Sequence, residues 1–256
     1  MDRMINLNSK KALVTGGGTG IGRGIALALA EAGADVIVHY GQNKDGADEV
    51  VKEIKDLGRN AIAIQADVLE EEEIKNLMAE AASFFDNKID ILVNNAGHLV
   101  QRATIEEMST ELWHKVMDVN VTSTFLVTKH ALPLLKEAGG RIVNMSSLAA
   151  HNGGGPGASA YAASKGAVMT FTKALAKELA GYEINVNAVS PGFIDNTPFH
   201  LTFNTQEGRE NAVKSIPVGR GGESADVAGA VLYLVSDLGN FITGETIEIN
   251  GGMFMR

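Results

Sequence analysis

Two side chains that could exchange a proton, Tyr161 and Lys165, lie four residues apart in a segment of helical composition. This spacing places both side chains on one face of a helix. The pKa of a free tyrosine is near 10, and lowering it by about three units needs ~4 kcal/mol of preference for the phenolate. A lysine ammonium favours the phenolate. The pair indicates acid–base chemistry, although Tyr and Lys at this spacing also occur by chance on many helices.

A glycine-rich turn follows the first apolar run of the chain and could hold a phosphate. The run 12–14 leads into Thr15-Gly-Gly-Gly-Thr-Gly-Ile-Gly22, and an apolar helical segment at 25–32 comes next. Glycines let the backbone approach a pyrophosphate, whose charge is met by the N–H groups of the helix N-terminus. The alternative is a flexible turn of the kind found between many strands and helices. The position between the first strand and the first helix favours a dinucleotide site.

Short β-branched or aliphatic runs that could form strands recur along the chain. They lie at residues 11–15, 35–40, 61–65, 89–94, 141–145, 184–189 and 246–249. Between them, apolar residues recur at three- and four-residue steps, from Val50 to Leu57 and from Ile74 to Phe85. This alternation predicts right-handed crossovers and a parallel sheet with helices on both faces. Seven strand candidates and the glycine turn favour this open sheet over an eight-stranded barrel.

We therefore predict an α/β fold, with residues 1–256 forming a single domain around a doubly wound parallel sheet of about seven strands. Ligands of such sheets bind beyond the carboxyl ends of the strands, so the chemistry is expected there. The stretch 193–217 has weak periodicity. Connections of this length inside a compact domain are usually lids or binding loops, and we predict a substrate lid.

Composition excludes several classes of function. The 256 residues carry 22 Lys+Arg and 31 Asp+Glu, a net charge of −9, so nucleic acid is not expected as a partner. The chain has no cysteine, and its six histidines show no paired metal-ligand spacing, so no metal site is expected. The sequence has no apolar run of ~20 residues and no leader-like start, so we expect neither a membrane span nor a signal peptide and predict a cytoplasmic protein.

Six motifs in order resemble those of the short-chain dehydrogenase/reductase family. They are Thr-Gly-x-x-x-Gly-Ile-Gly at 15–22, Asn94-Asn95-Ala96-Gly97, Asn120, Ser147, Tyr161-x-x-x-Lys165 and Pro191-Gly192. The resemblance covers essentially the whole chain. It implies a Rossmann-like fold, NAD(P)-dependent reduction of a carbonyl or oxidation of the corresponding alcohol, and a homotetramer.

The resemblance also implies a role for each catalytic residue. Tyr161 donates a proton to the carbonyl oxygen in reduction and accepts it in oxidation, and Lys165 lowers the pKa of Tyr161 and holds the nicotinamide ribose. Ser147 hydrogen-bonds the reacting oxygen, with Ser146 as its rival, and Asn120 supports a water that links the lysine to solvent. Ser147 and Tyr161 are 14 residues apart, one more than in many relatives.

A set of cofactor contacts follows from the same resemblance. They are Gly16, Thr19, Gly20, Ile21, Gly22, Tyr40, Asp67, Val68, Asn94, Ala96, Gly97, Tyr161, Lys165, Pro191, Gly192, Ile194 and Thr197. Asp67 would contact the adenine, but an Asp at a strand end can equally cap a turn. An acidic residue ending the second strand would repel a 2′-phosphate, and the run 39–43 has none. NADP(H) is therefore favoured slightly over NAD(H), although neither Thr19 nor Gly41 is a base that would clamp the phosphate.

The loops that flank the predicted site suit an anionic substrate. The candidate substrate residues are Arg102, His151, Asn152, Phe199 and His200. Cations gathered near the mouth of the predicted site would attract an anion. The alternative is that these loop charges are solvated and bind no substrate, as is common for charged residues in loops. The chain also resembles reductases that act on the keto-uronate released from alginate. Together with the loop cations, this resemblance predicts that the substrate is a small polar ketone or aldehyde, such as a sugar-derived keto acid. The alternatives are a 3-oxoacyl-carrier-protein reductase, a glucose-type sugar dehydrogenase and a regulatory protein that senses NAD(P) without turnover.

Overall fold

Seven parallel strands form one sheet in a computed structural model of the chain, which describes residues 5–137, 139–195 and 197–255. The strands are β1 Lys11–Val14, β2 Asp35–Tyr40, β3 Ala61–Gln65, β4 Ile91–Asn94, β5 Arg141–Met145, β6 Asn185–Pro191 and β7 Thr246–Ile249. Their order across the sheet is β3-β2-β1-β4-β5-β6-β7. The predicted doubly wound parallel sheet is confirmed, and each strand end lies within two residues of the predicted one.

Helices connect the strands on both faces of the sheet. They are α1 Gly20–Glu31, α2 Lys44–Asp56, α3 Glu71–Phe84, α4 Thr110–Met117, α5 Ser123–Lys136, α6 Ala149–Asn152, α7 Ser159–Leu179, α8 Pro198–Phe203, α9 Gln206–Lys214 and α10 Ser224–Val235. A π-helical turn, Asp118–Thr122, joins α4 to α5. The stretch predicted as a lid holds α8 and α9. In the described ranges, no helix has both the length and the apolar composition needed to span a bilayer.

Each face of the sheet buries its own apolar cluster, because neighbouring strand residues point to opposite faces. On β1, Val14 belongs to the cluster that includes residues of α1, α2 and α10. Its neighbour Leu13 belongs to the cluster that includes residues of α3, α5 and α7. Both residues are fully buried, as expected for a parallel sheet that is covered on both sides. The two layers of helices leave the carboxyl ends of the strands as the open edge.

The first crossover brings the glycine turn and α1 into close backbone contact. A Cβ atom placed on Gly22 would lie 2.2 Å from the carbonyl oxygen of Gly16 and 2.5 Å from Nδ2 of Asn95. Both distances are far below van der Waals contact, so this position of α1 accepts glycine alone unless the backbone shifts. Gly16 itself has φ +62°, in the left-handed region that favours glycine.

We expect Gly22→Ala to lower the free energy of unfolding by at least ~1–3 kcal/mol, the usual effect of overpacking a filled site. Gly229→Ala is the matched control, because Gly229 also lies inside a helix but a Cβ there meets nothing within 4 Å. That control should be neutral or stabilising by ~0.5–1 kcal/mol. Urea denaturation of the two variants measures both effects. Equal unfolding free energies of the two variants would contradict the conclusion that the position of Gly22 accepts glycine alone.

Candidate active site

The carboxyl ends of the central strands open into a cavity of about 540 Å³. Most of the predicted cofactor residues line it: Gly16, Thr19, Gly20, Ile21, Gly22, Ala96, Gly97, Tyr161, Lys165, Pro191, Gly192, Ile194 and Thr197. The remaining predicted contacts, Tyr40, Asp67, Val68 and Asn94, lie outside the lining described. The cavity therefore runs from the glycine turn at the N-terminus of α1 to the helix that carries Tyr161.

The glycine turn has the features that a dinucleotide requires. Gly16 and Gly20 have positive φ values of +62° and +52°, and they present backbone rather than side chains to the cavity. Gly20 begins α1, whose first N–H groups have no partner within the helix and attract a phosphate. At the other end of the cavity, a Cβ on Gly97 would lie 3.0 Å from Nζ of Lys165. The absence of a side chain at Gly97 leaves room for this amine, which lines the cavity, so the cavity fits a dinucleotide.

Thr15 and Asn95 lie within two of the sequence motifs, but their residue types alone predict no role for them. The hydroxyl of Thr15 accepts hydrogen bonds from the backbone N–H groups of Asn95 and Ala96, both at 3.0 Å. In return, Nδ2 of Asn95 donates to the carbonyl oxygens of Thr15 at 2.9 Å and Gly16 at 3.2 Å. These bonds join the ends of β1 and β4, where the strand order reverses. They hold the glycine turn against the loop that contains Gly97.

Asn94 performs a similar task one layer below the cavity. Its Nδ2 atom donates to Oγ1 of Thr128 and Oδ1 of Asn144, both at 2.9 Å. The side chain is buried and joins β4 to α5 and β5. Asn94 thus supports the strands beneath the cavity, and its contact with the cofactor stays a prediction.

Ser147 and Tyr161 meet although 14 residues separate them. Ser147 follows β5, Tyr161 lies in the first turn of α7, and their side chains are hydrogen-bonded. The rival serine, Ser146, donates its hydroxyl to the carbonyl oxygen of Lys165 at 3.0 Å. The geometry thus selects Ser147 as the partner of the tyrosine.

Burial controls the ionisation of both groups on α7. It raises the pKa of Tyr161 to about 12, while the hydrogen bond from Ser147 acts in the opposite direction. It lowers the pKa of Lys165 to about 8. The Nζ atom of Lys165 donates to the carbonyl oxygen of Met145 at 2.9 Å and lies 5.7 Å from the centre of the Tyr161 ring. The lowered tyrosine pKa that the resemblance implies depends on Lys165 together with the positive nicotinamide ring of an oxidised cofactor, and it stays a prediction.

Asn120 lies in the π-helical turn and is fully buried. Its Oδ1 atom accepts from the backbone N–H of His98 at 3.1 Å, and its Nδ2 atom donates to the carbonyl oxygens of His98 and Val116, both at 2.8 Å. A Cβ placed on Gly97 would lie 2.6 Å from Oδ1 of Asn120. Little more than the backbone of this glycine therefore lies between the side chains of Asn120 and Lys165. Asn120 holds the loop that faces the lysine, and its link to solvent through a water stays a prediction.

The end of the second strand differs from the expectation. Tyr40 is 8% exposed and belongs to the apolar core, whereas the next two residues, Gly41 and Gln42, line the cavity. The carboxylate of Asp67 accepts from the backbone N–H of Leu69 at 2.9 Å, which is the turn-capping role left open above. Val68 is buried in the cluster beside α3. The residues that line the cavity at this strand end are therefore Gly41 and Gln42.

The helix α8 covers the tyrosine. The ring of Phe199 lies 5.6 Å from the ring of Tyr161, centre to centre, and both Phe199 and His200 line the cavity. Burial lowers the pKa of His200 to about 4, with the nearby Arg102 acting in the same direction. His200 is therefore neutral at pH 7. The wall beside Tyr161 is aromatic and uncharged.

Arg102 makes three hydrogen bonds to protein and lies outside the lining described. It donates to the carbonyl oxygens of Pro156 at 2.9 Å and Phe203 at 3.3 Å, and to Oδ1 of Asn204 at 3.4 Å. The guanidinium thus joins the loop after α6 to the end of α8. Arg102 thus bridges two segments of the chain, and its contact with the substrate stays a prediction.

Two further predicted substrate residues also face elsewhere. Nε2 of His151 lies 2.6 Å from a carboxylate oxygen of Glu248, and the imidazole stacks on Phe254 at 4.8 Å between ring centres. Asn152 is exposed and accepts from the N–H of Gly154 at 2.9 Å. The sequence shows the residue types, but these partners are distant in sequence or depend on the turn conformation.

Comparison with known proteins extends over the whole chain. A family model described as Enoyl-(Acyl carrier protein) reductase matches residues 16–254. The 3-oxoacyl-acyl-carrier-protein reductase FabG of Staphylococcus aureus is 42% identical over 248 residues, which cover 96% of this chain and 99% of that protein. The 3-oxoacyl-acyl-carrier-protein reductase of Synechocystis sp. is 42% identical over 254 residues, which cover 98% and 100%.

Solved structures are similar over the same extent. A dehydrogenase/reductase from Sinorhizobium meliloti superposes with a TM-score of 0.91 and 37% identity, covering 98% of this chain and 97% of that one. An NADH-dependent reductase, A1-R′, responsible for alginate metabolism, gives a TM-score of 0.88 and 30% identity, covering 98% and 99%.

The lowered pKa of Lys165 can be measured directly. In protein labelled at the lysine side chains, NMR titration should place the midpoint of Lys165 at about pH 8, cationic below and neutral above. Free lysine in the same buffer is the reference, with the ordinary lysine value near 10.4. The signal of Lys165 is assigned by its loss in Lys165→Arg. A midpoint shared by Lys165 and free lysine would contradict the effect of burial.

Proposed function

Because the chain belongs to the short-chain dehydrogenase/reductase family and is an NAD(P)-dependent oxidoreductase of carbonyl and hydroxyl groups, we propose that it reduces the keto group of a 3-oxoacyl thioester with NADPH. The uncharged wall beside Tyr161 is the observation that supports this choice of substrate. Phe199 and a neutral His200 form this wall. Relatives that are 42% identical over nearly the full chain and are named for this reaction support the same choice.

The residues around the cavity can carry out the proton half of the reaction. Bound nicotinamide supplies the hydride. At pH 7 a tyrosine of pKa about 12 holds its proton, which is the state needed to donate from Oη to the carbonyl oxygen. Ser147 hydrogen-bonds the same oxygen, and Lys165, cationic below about pH 8, stabilises the phenolate that remains. Phe199 lines the cavity beside the Tyr161 ring and so limits the access of water to the transfer.

We expect Tyr161→Phe to lower turnover by at least ~10²-fold, the scale for removing a general acid, and to leave the NADPH dissociation constant within about threefold of its original value. Tyr182→Phe is the control, since Tyr182 is 48% exposed and lies beyond the end of α7. NADPH oxidation measures turnover, and fluorescence titration measures binding. Unchanged turnover in Tyr161→Phe would reject the mechanism and would restore the regulatory, cofactor-sensing alternative.

The second candidate substrate is a carboxylated sugar ketone, which the similarity to the reductase of alginate metabolism favours. Such an anion needs a cation in the pocket. Among the described residues that line the cavity, Lys165 alone carries a full positive charge at neutral pH, and we assign it to the tyrosine and the cofactor. Arg102 is engaged with Pro156 and Phe203. We therefore rank the thioester above the keto-uronate.

The ranking is tested with acetoacetyl-CoA and a keto-uronate under the same conditions. We expect kcat/KM to favour the thioester by at least tenfold, which is about 1.4 kcal/mol of transition-state preference. Arg102→Gln separates the two roles of the arginine: loss of the bridge to α8 lowers kcat/KM for both substrates. A loss confined to the keto-uronate would mean that Arg102 binds the carboxylate and would reverse the ranking.

The preference for NADPH rests on the end of β2, where Gly41 and Gln42 line the cavity and the segment 39–43 has no carboxylate. We expect Gly41→Asp to lower the ratio of NADPH to NADH affinity at least tenfold, because a carboxylate there repels the 2′-phosphate. A Cβ on Gly41 meets nothing within 4 Å, so the substitution fits. Gly41→Asn has the same size without charge and should leave the ratio unchanged. Equal effects of Asp and Asn would reject charge as the cause.

Three further expectations belong to the same proposal. We propose a homotetramer, which is consistent with an exposed Ala163 and an open Gly166 on α7, where another element can approach closely. Cytoplasmic location and the lid function of 193–217 stay predictions. For the lid, the contact between Phe199 and Tyr161 is the supporting observation.

A further inference from the structure

His39 is a buried residue of β2 whose side chain extends beneath the glycine turn. It is 2% exposed. Its Nδ1 atom accepts from the backbone N–H of Gly16 at 3.1 Å, and its Nε2 atom lies 2.9 Å from the carbonyl oxygen of Ala66. The backbone carbonyl of His39 also accepts from the N–H of Gly17 at 2.9 Å. One residue thus receives two successive N–H groups of the turn.

These partners fix the tautomer of the imidazole. The carbonyl oxygen of Ala66 can only accept, so Nε2 carries the proton. Nδ1 is then unprotonated and free to accept from Gly16. The neutral ring satisfies both partners at once. A protonated ring would direct an N–H at the N–H of Gly16.

We propose that His39 is a positioning residue for the cofactor, which fixes the Gly16 end of the phosphate-binding turn relative to the segment that follows β3. Gly16 lines the cavity, and its φ of +62° lies in the left-handed region that favours glycine. Ala66 directly follows β3 and precedes Asp67. The two contacts of the imidazole therefore set the spacing between the turn and the segment that follows β3. The inference rests on the cofactor site and is independent of the proposed substrate.

The surroundings keep the ring in the required state. Burial lowers the pKa of His39 below its ordinary value, while the carbonyl of Ala66 and the carboxylate of Asp67 act more weakly in the opposite direction. The ring is accordingly neutral at pH 7. An apolar side chain of similar size would fill the space but would leave the N–H of Gly16 and the carbonyl of Ala66 without this partner.

Three variants separate positioning from packing. Asn places an oxygen at the position of Nδ1 and can accept from Gly16, Gln places its polar atoms at the position of Nε2 near Ala66, and Leu keeps only the volume. We expect His39→Leu, which loses both contacts, to bind NADPH at least tenfold more weakly in fluorescence titration, and His39→Asn and His39→Gln, which each keep one contact, to bind with intermediate affinity. His130→Leu is the matched control, because His130 contacts Glu71 between α5 and α3 and should leave binding unchanged.

Equal binding by His39→Leu and the unaltered protein would overturn the proposal. So would tight binding by His39→Gln together with weak binding by His39→Asn, because the Gly16 contact would then be dispensable. If a variant fails to fold, ¹⁵N NMR of the imidazole in the unaltered protein provides the test. An unprotonated Nδ1 and a protonated Nε2 are expected, and the reverse tautomer would overturn the proposal.

Discussion

The backbone contact between Gly16 and Gly22 is the constraint on which the rest of the site depends. It sets how closely α1 approaches β1, and α1 in turn packs against α10, where a Cβ on Gly24 would lie 2.6 Å from the Cβ of Ser224. Because both contacts leave no room even for a methyl group, they define the position of α1 relative to the sheet. Its N-terminus then points at the cavity, and the strand ends that carry Gly97 and Ser147 meet at the same edge.

Below the reacting groups, a set of buried amides connects the strands that carry them. Asn94 bonds to Asn144, and Nδ2 of Asn144 donates to Thr172 on α7 at 3.0 Å. This chain runs from β4 through β5 to the helix that holds Tyr161 and Lys165. Each member is buried and hydrogen-bonded, and breaking one of these bonds would leave a further buried polar atom unpaired beside Oδ1 of Asn94, which makes no hydrogen bond to the described residues. The orientation of the tyrosine is therefore fixed from beneath as well as by Ser147.

The sequence was sufficient for the architecture and for much of the cavity lining. Apolar runs predicted the strands because a strand buried on both faces must be apolar, and the glycine spacing located the turn. Tyr40, Arg102 and His151 show the limit. Each is the expected type of residue at the expected place in the chain, but its side chain turns toward a partner that periodicity cannot show: the core for Tyr40, Phe203 for Arg102 and Glu248 for His151. Side-chain direction in loops depends on tertiary packing, and so does the ionisation of Tyr161 and Lys165.

The Arg102 bridge has a mechanical consequence. It spans 54 residues to Pro156 and 101 residues to Phe203, so it ties two segments that the chain itself leaves far apart. An outward movement of α8 would either carry the loop after α6 with it or break the bond between the guanidinium and Phe203. The bridge thus couples the two segments mechanically instead of leaving them as two independent flaps. Loss of the arginine would release both segments at once, while the reacting groups stay in place.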